Sequence, residues 1–169
     1  MEVENIKEKN KNELHNKWVL WFHHVNDDNW GEESYMKIHE IETIEDYWKV
    51  MNTISTFTAG IFFLMKEDIF PRQEDINNID GGIWSFKVSK KDADANWRML
   101  IMKVIGRTIV SKDEDNECIN GLSISPKINN CILKIWNNNS KNNNINILNG
   151  DNLISITLRD GIYRRHQEN

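Results

Sequence analysis

Few side chains in this 169-residue chain combine the type and the spacing that chemistry requires. His23 and His24 are adjacent in a stretch that alternates like a strand, so they point to opposite faces and cannot share a metal ion. Asp113-Glu114-Asp115 lacks the spacing and the glycine of a calcium loop and reads as a solvated loop. Glu74 and Asp75 offer two carboxylates after Gln73, with no nucleophile or base marked beside them. GxSxG, a phosphate loop and HExxH are all missing. Cys118 and Cys131 lack CxxC spacing and sit in predicted strands, where they read as reduced thiols. The expectation is a binding protein, not an enzyme, with no metal and no cofactor.

Composition narrows what such a protein can bind. A net charge of -5 argues against a chain that grips long stretches of nucleic acid backbone. The charge is uneven, however. Residues 121–169 carry Lys127, Lys134, Lys141, Arg159, Arg164 and Arg165 against Asp151, Asp160 and Glu168, a local +3 that leaves -8 for the rest. A short anionic group therefore has partners only toward the C-terminus. Seven tryptophans are many for this length. Indoles bury large apolar areas in cores, and they also serve as flat platforms for bases; composition does not choose between these uses.

The elements that must position these residues follow from periodicity. Residues 1–13 read as a disordered tail and 14–169 as one domain. The stretches 17–25, 35–41, 61–66 and 83–89 alternate or run apolar like strands. Thr43-x-x-Asp46 resembles a capping box opening a helix with Ile44, Tyr47, Trp48 and Met51 on one side. Asp92 or Asp94 is the expected cap of a second helix reaching Ile105, with Gly106 past its end. CINGLSIS, NCILKIW, NLISITL and GIYRR supply further strands, and Asn137–Asn152 reads as a mobile loop. The fold class implied is α+β: a mostly antiparallel sheet with two to three helices on one face. The N-terminal residues hold no apolar core of a signal peptide, and no run approaches about 18 apolar residues, so a cytoplasmic protein without membrane contact is expected.

An ordered series of motifs then points further. Asn16-Lys17-Trp18-Val19-Leu20-Trp21-Phe22, Trp30 and Thr43-Ile44-Glu45-Asp46-Tyr47-Trp48 open it. Pro71-Arg72-Gln73-Glu74-Asp75, Asn78, Gly81-Gly82-Ile83-Trp84, Trp97, Ile105-Gly106, Cys118-x-x-Gly121 and Ile135-Trp136 continue it. Over residues 14–136 this series resembles the eukaryotic translation initiation factor 4E family. The resemblance implies a curved antiparallel sheet backed by three helices, with the 7-methylguanosine cap of messenger RNA bound in the concave face. The cap base is flat and cationic, so aromatic faces attract it. Its Watson–Crick edge offers two donors to one carboxylate, and its triphosphate needs Lys or Arg.

By this resemblance Trp30 stacks on the base, Glu74 reads its edge and Trp84 lies against the N7-methyl group. Gln73 occupies the place of the family's second stacking tryptophan. Lys127 meets the phosphates, assisted by Arg159, Arg164 and Arg165, because two basic positions of the family are Ile83 and Ile132 here. The family's long helix after Trp136 is expected to be shortened or lost. On the opposite face Ile44, Trp48, Arg98 and Met99 correspond to the surface that docks a short helix of the 4G scaffold or a repressor. The expected protein is a monomer that recruits capped messenger RNA for translation. The rival reading is a degenerate relative that holds such a peptide and scarcely binds caps, which Gln73 and Ile83 favour.

Overall fold

The structure, a computed structural model, describes residues 12–167. Seven strands form one curved sheet: β1 (Glu13–His23), β2 (Met36–Thr43), β3 (Ile61–Lys66), β4 (Gly82–Ser89), β5 (Ile119–Pro126), β6 (Asn130–Asn137) and β7 (Ile162–Arg165). Their spatial order is β2-β1-β3-β5-β6-β4-β7, and every pairing is antiparallel. Two helices, α1 (Ile44–Thr53) and α2 (Lys90–Ile105), accompany it. This is the α+β architecture that the sequence implies. Most of the predicted tail lies outside the described residues, but its last residue, Glu13, already opens β1.

Strand alternation divides the apolar residues between two faces. Trp18, Leu20, Phe62, Leu64, Trp84, Phe86, Leu133 and Ile135 join Tyr47, Val50, Trp97, Leu100 and Ile101 of the helices in the main core. The opposite, concave face carries a smaller cluster of Ile61, Phe63, Met65, Ile69, Ile83 and Trp136, flanked by Trp21 and Tyr35. Among the described residues no α-helix covers that side, so its side chains are available to line a cleft.

Local chemistry fixes the helix starts. The Thr43 hydroxyl accepts from the Asp46 N–H at 3.2 Å while the Asp46 carboxylate accepts from the Thr43 N–H at 3.0 Å, a complete capping box. α2 begins a turn earlier than expected. Ser89 caps it by accepting from the Asp92 N–H at 3.1 Å. Asp94 instead accepts from the Phe57 N–H at 2.7 Å and pairs with Arg98.

The segment after β6 departs most from expectation. Residues 152–158, read as a strand, are turns leading into a 3-10 turn at Leu158–Asp160. Asn152 and Ser155 have φ of 64° and 54°, which an extended strand does not allow. The Asn96 amide takes the backbone partners instead, accepting from Ile154 N–H at 2.7 Å and donating to its carbonyl at 2.8 Å. Leu158 is buried in the main core, with Leu153 and Ile156 packed against it. The α-helix expected to shorten is gone among the described residues; the asparagine-rich stretch is braced loop. Asn137 donates to the carbonyls of Asn139 and Asn142 and accepts from Gly82 N–H and the Tyr163 hydroxyl.

Candidate functional site

The concave face holds a cavity of about 460 Å³ whose lining includes Trp30, Tyr35, Phe63, Arg72, Gln73, Glu74, Ser123, Lys127, Lys134 and Trp136. Its first wall is the loop after β1, shaped by asparagine and aspartate. Asn29 N–H donates to Asp27 at 2.9 Å, and the Asn29 side chain accepts from Gly31 N–H at 2.8 Å. This turn lays the Trp30 indole on the His23 imidazole, with ring centroids 4.0 Å apart and planes 4° from parallel. His23 is fully buried, and its Nε2 lies 2.8 Å from the Asn29 carbonyl, which can only accept, so Nε2 is the donor in this contact. Trp30 remains 49% exposed. The imidazole backs one face of the indole, and the rest of the side chain is open to solvent.

The second wall is the loop between β3 and β4. Buried Asn78 fastens it, donating to the carbonyls of Phe70 at 3.0 Å and Arg72 at 2.8 Å and accepting from Asn120 at 2.9 Å. The loop closes at Gly81 and Gly82, where an added Cβ would collide with the backbone carbonyls of Asn137 and Arg164. It presents Gln73 and Glu74 as exposed side chains at the cavity edge. Arg72 lies between two carboxylates, its Nε 3.5 Å from Glu74 and its Nη1 3.8 Å from Glu32, linking the two walls.

Trp136 forms part of the floor, where its indole N–H donates to the Ser123 hydroxyl at 3.0 Å. Trp84 is not in the cavity, which corrects the role drawn from the resemblance. In the β4–β6 ladder Ile83 lies opposite Trp136 and Trp84 opposite Ile135. Alternation therefore turns Trp84 into the main core, where it is fully buried and donates to the Asn143 carbonyl at 3.3 Å. Strand parity in Lys134-Ile135-Trp136 is the signal that would have assigned the two tryptophans.

Lys127 lines the cavity as expected, from the turn between β5 and β6. Lys134, counted among the C-terminal cations but given no site role by the sequence, lies on the same face of β6 as Trp136. Burial first, and then the charges of Lys127 and Arg164, push its ammonium below the ordinary lysine value. Arg164 and Arg165 border an adjoining hollow of about 550 Å³ that shares Gln73 and Lys134 with the first. Arg159 is elsewhere: its neighbour Leu158 is anchored in the helix-side core, and Arg159 borders neither hollow. Lys127, Lys134, Arg164 and Arg165 make no ion pair among the described residues.

On the opposite face Ile44 and Trp48 stand out of α1, 45% and 53% exposed. Arg98 does not join them. Its guanidinium pairs with Asp94 at 2.7 Å, donates to the carbonyls of Met51 and Ile54 at 2.7 Å each, and lies over the Phe57 ring. It closes the C-terminal end of α1, where free carbonyls favour a cation. Met99 beside it is half-buried. Among the described residues no three His, Cys, Asp or Glu side chains gather as metal ligands.

The arrangement is that of a one-sheet α+β domain with a nucleotide-sized cleft, aromatic at one end and cationic at the other. Residues 13–166 match the family profile described as Eukaryotic initiation factor 4E. The chain belongs to the eukaryotic initiation factor 4E family. It is 26% identical over 146 residues to eukaryotic translation initiation factor 4E-3 of Caenorhabditis elegans, covering 79% of this chain and 57% of that protein. Against eukaryotic translation initiation factor 4E of Eremothecium gossypii it is 31% identical over 134 residues, 75% of this chain and 62% of that one. The chain thus spans little more than half the length of the curated relatives it matches. Among solved structures it is similar to Ascaris suum eIF4E-3 with m7G cap, at a TM-score of 0.69 and 26% identity over 76% of this chain and 74% of that one. It is also similar to Caenorhabditis elegans eIF4E-3 with the 4E-binding protein Mextli and cap analog, at a TM-score of 0.71 and 26% identity over 78% and 77%.

Proposed function

We propose that this chain binds the 7-methylguanosine cap of messenger RNA without catalysis and recruits it for translation initiation in the cytoplasm. The observation that carries the reading is the meeting of Trp30, Glu74 and Trp136 with Lys127 and Lys134 around one cavity. In this reading the open face of Trp30 stacks on the cationic base, where cation–π attraction adds to area burial. Glu74 leaves Arg72 to accept the two donors of the guanine edge. Trp136, not Trp84, closes the cavity beside the N7-methyl group. Lys127 and Lys134 take the phosphates, and relief of the repulsion between them adds to the attraction. Lys134 thereby substitutes for the basic positions that are Ile83 and Ile132.

The exposed pair Ile44 and Trp48 suits a short amphipathic helix of a scaffold or repressor. Relatives of similar fold have been solved with a cap and with 4E-binding proteins, which supports both halves of the reading. The test is a titration of tryptophan fluorescence with 7-methyl-GTP and with GTP. The expected result is quenching at much lower concentrations of the methylated nucleotide, since methylation adds the charge that the indole face attracts. Equal affinities would overturn the reading in favour of a peptide-holding relative that has lost cap binding.

A further inference from the structure

The Trp30 indole rests on a side chain that can change its charge. His23 lies against it with ring centroids 4.0 Å apart and planes 4° from parallel. The imidazole is fully buried and does not itself line the cavity. Its Nε2 donates to the Asn29 carbonyl at 2.8 Å, while its Nδ1 is buried without a partner among the described residues. An apolar ring would stack on the indole as well, so packing alone does not call for a histidine here. The Tyr35 ring meets the imidazole at 5.2 Å, and Ile61 lies opposite it on β3. Burial raises the Tyr35 hydroxyl above the usual phenol value, Arg72 opposing and Glu74 adding, so that group stays uncharged near neutrality. The carboxylates of the adjoining loop are engaged elsewhere or exposed. Asp27 accepts from the Asn29 N–H, Glu33 accepts from the Asn29 amide, Glu32 pairs with Arg72, and Asp28 is open to solvent. His24 accepts from the Asn26 N–H. His23 forms no ion pair among the described residues.

We propose that His23 is the positioning residue for Trp30 and that its charge state sets how strongly the indole holds a cationic base. This rests on the cap-binding reading and adds a control of the same site. While neutral, the imidazole backs the indole and leaves its electron-rich face to the 7-methylguanine. A proton gained from solvent goes to Nδ1, the ring nitrogen with a free lone pair, and makes an imidazolium. Two effects then weaken the platform. The imidazolium draws on the same indole quadrupole that the base uses, and two cations repel each other across one flat ring. The new Nδ1–H is also a buried donor without an acceptor, which favours departure of His23 from its place behind Trp30. Proton and capped ligand therefore oppose each other, as linkage requires. Affinity is highest with the ring neutral and falls as acid charges it.

Fluorescence titrations of the full chain with 7-methyl-GTP and with GTP, at about pH 7 and about pH 5.5, span the range in which histidines gain their charge. The quantity read is the preference for 7-methyl-GTP over GTP, in which protonation of the triphosphate is common to both nucleotides. In the unaltered chain this preference is expected to fall roughly tenfold between the two pH values. His23→Phe keeps a stacking ring, cannot gain a proton and loses the bond to the Asn29 carbonyl. It is expected to bind 7-methyl-GTP roughly threefold more weakly near neutrality, with a preference that does not fall in acid. Glu74, His166 and the cationic groups of the cavity are the same in both proteins, so the comparison isolates His23. Should His23→Phe fail to fold, His23→Gln, an uncharged side chain with an amide donor, takes its place: weaker binding at both pH values, again without the fall in preference. A preference that falls equally in the unaltered chain and the variant overturns the role of His23 and leaves the cap reading standing. A preference in the unaltered chain that acid does not change does the same. Equal affinities for the two nucleotides near neutrality would sink the cap reading and this inference with it.

Discussion

Trp136 and Trp84 sit on hydrogen-bonded strands one register step apart, yet they belong to different halves of the molecule. Both are buried, and both indole N–H groups have an acceptor, Ser123 for one and the Asn143 carbonyl for the other. The difference is what covers each face of the sheet. On the convex side α1 and α2 bring Val50, Trp97, Leu100 and Ile101 down on the strands and leave no room for a ligand. On the concave side two loops form walls without a roof, so residues of equal hydrophobicity line a cavity. In a sheet of this kind the parity of a residue decides between stability and binding as firmly as its type does.

The largest effect that would test this contrast is on the convex side. Trp84→Ala should cost about 3–5 kcal/mol of folding stability, as expected for truncating a fully buried indole. Urea unfolding measures it, and 7-methyl-GTP affinity of the protein that remains folded should be unchanged. Trp136→Leu should show the opposite balance, with a smaller loss of stability and affinity reduced more than tenfold. If Trp84→Ala impaired binding in folded protein and Trp136→Leu did not, the assignment of the two faces would be wrong.

Next in size is Glu74→Ala. The carboxylate is exposed at the cavity edge and its pairing with Arg72 at 3.5 Å is a surface contact worth little to the fold. Loss of both acceptors for the guanine edge should cost about 2–3 kcal/mol of binding, roughly 30- to 150-fold in affinity. The melting temperature should hardly move. Calorimetry returning affinity within twofold of the unaltered chain would mean that another group reads the base.

The same contrast explains what was legible in the sequence. Alternation, or for β3 an apolar run, marks the strands, because each has a face in the main core. Thr43 and Asp46 announced α1 through chemistry confined to four residues. Ser89 was passed over as a cap because Asp92 and Asp94 lie nearer the apolar face of α2. Residues 152–158 carry the apolar spacing of a strand, but their backbone partner is Asn96, a tertiary contact that no local window contains. The loop residues Trp30, Gln73 and Glu74 were found through motif order and do border the cavity. Motif order alone assigns Trp84 to the cavity, whereas strand parity turns it into the main core. Arg98 was read as a surface residue because its two carbonyl partners lie 47 and 44 positions away.

Gln73 permits a sharper test of the concave side. It lines the concave cavity opposite the loop that carries Trp30 and has no aromatic quadrupole of its own. Gln73→Trp should tighten 7-methyl-GTP by up to about 2 kcal/mol, roughly thirtyfold, by restoring a second cation–π face. The gain should be specific to the methylated base, so GTP affinity should rise far less. A flat or weakened 7-methyl-GTP isotherm would mean that a neighbour such as Arg72 already covers that side of the ligand.

The smallest effect on fold and cap binding is expected at Trp48, the convex tryptophan that the core does not claim. It is 53% exposed, and its ring meets Tyr47 edge-on at a centroid distance of 5.0 Å. Removing it withdraws little from the interior, so Trp48→Ala should change stability by no more than about 0.5 kcal/mol, the usual range for surface positions. The concave cavity is across the sheet and shares no residue with α1, so 7-methyl-GTP affinity should remain within twofold. What should be lost is retention of a helical peptide carrying the scaffold's docking sequence, because an exposed indole beside exposed Ile44 is the kind of anchor that dominates such contacts. Arg98, occupied by Asp94 and the end of α1, should behave differently: Arg98→Ala should destabilise the fold, since the carbonyls of Met51 and Ile54 lose their donor. Peptide retention unaffected by Trp48→Ala would mean that α1 is not the docking face. A stability loss as large as that of Trp84→Ala would mean that the exposed indole is part of the core after all.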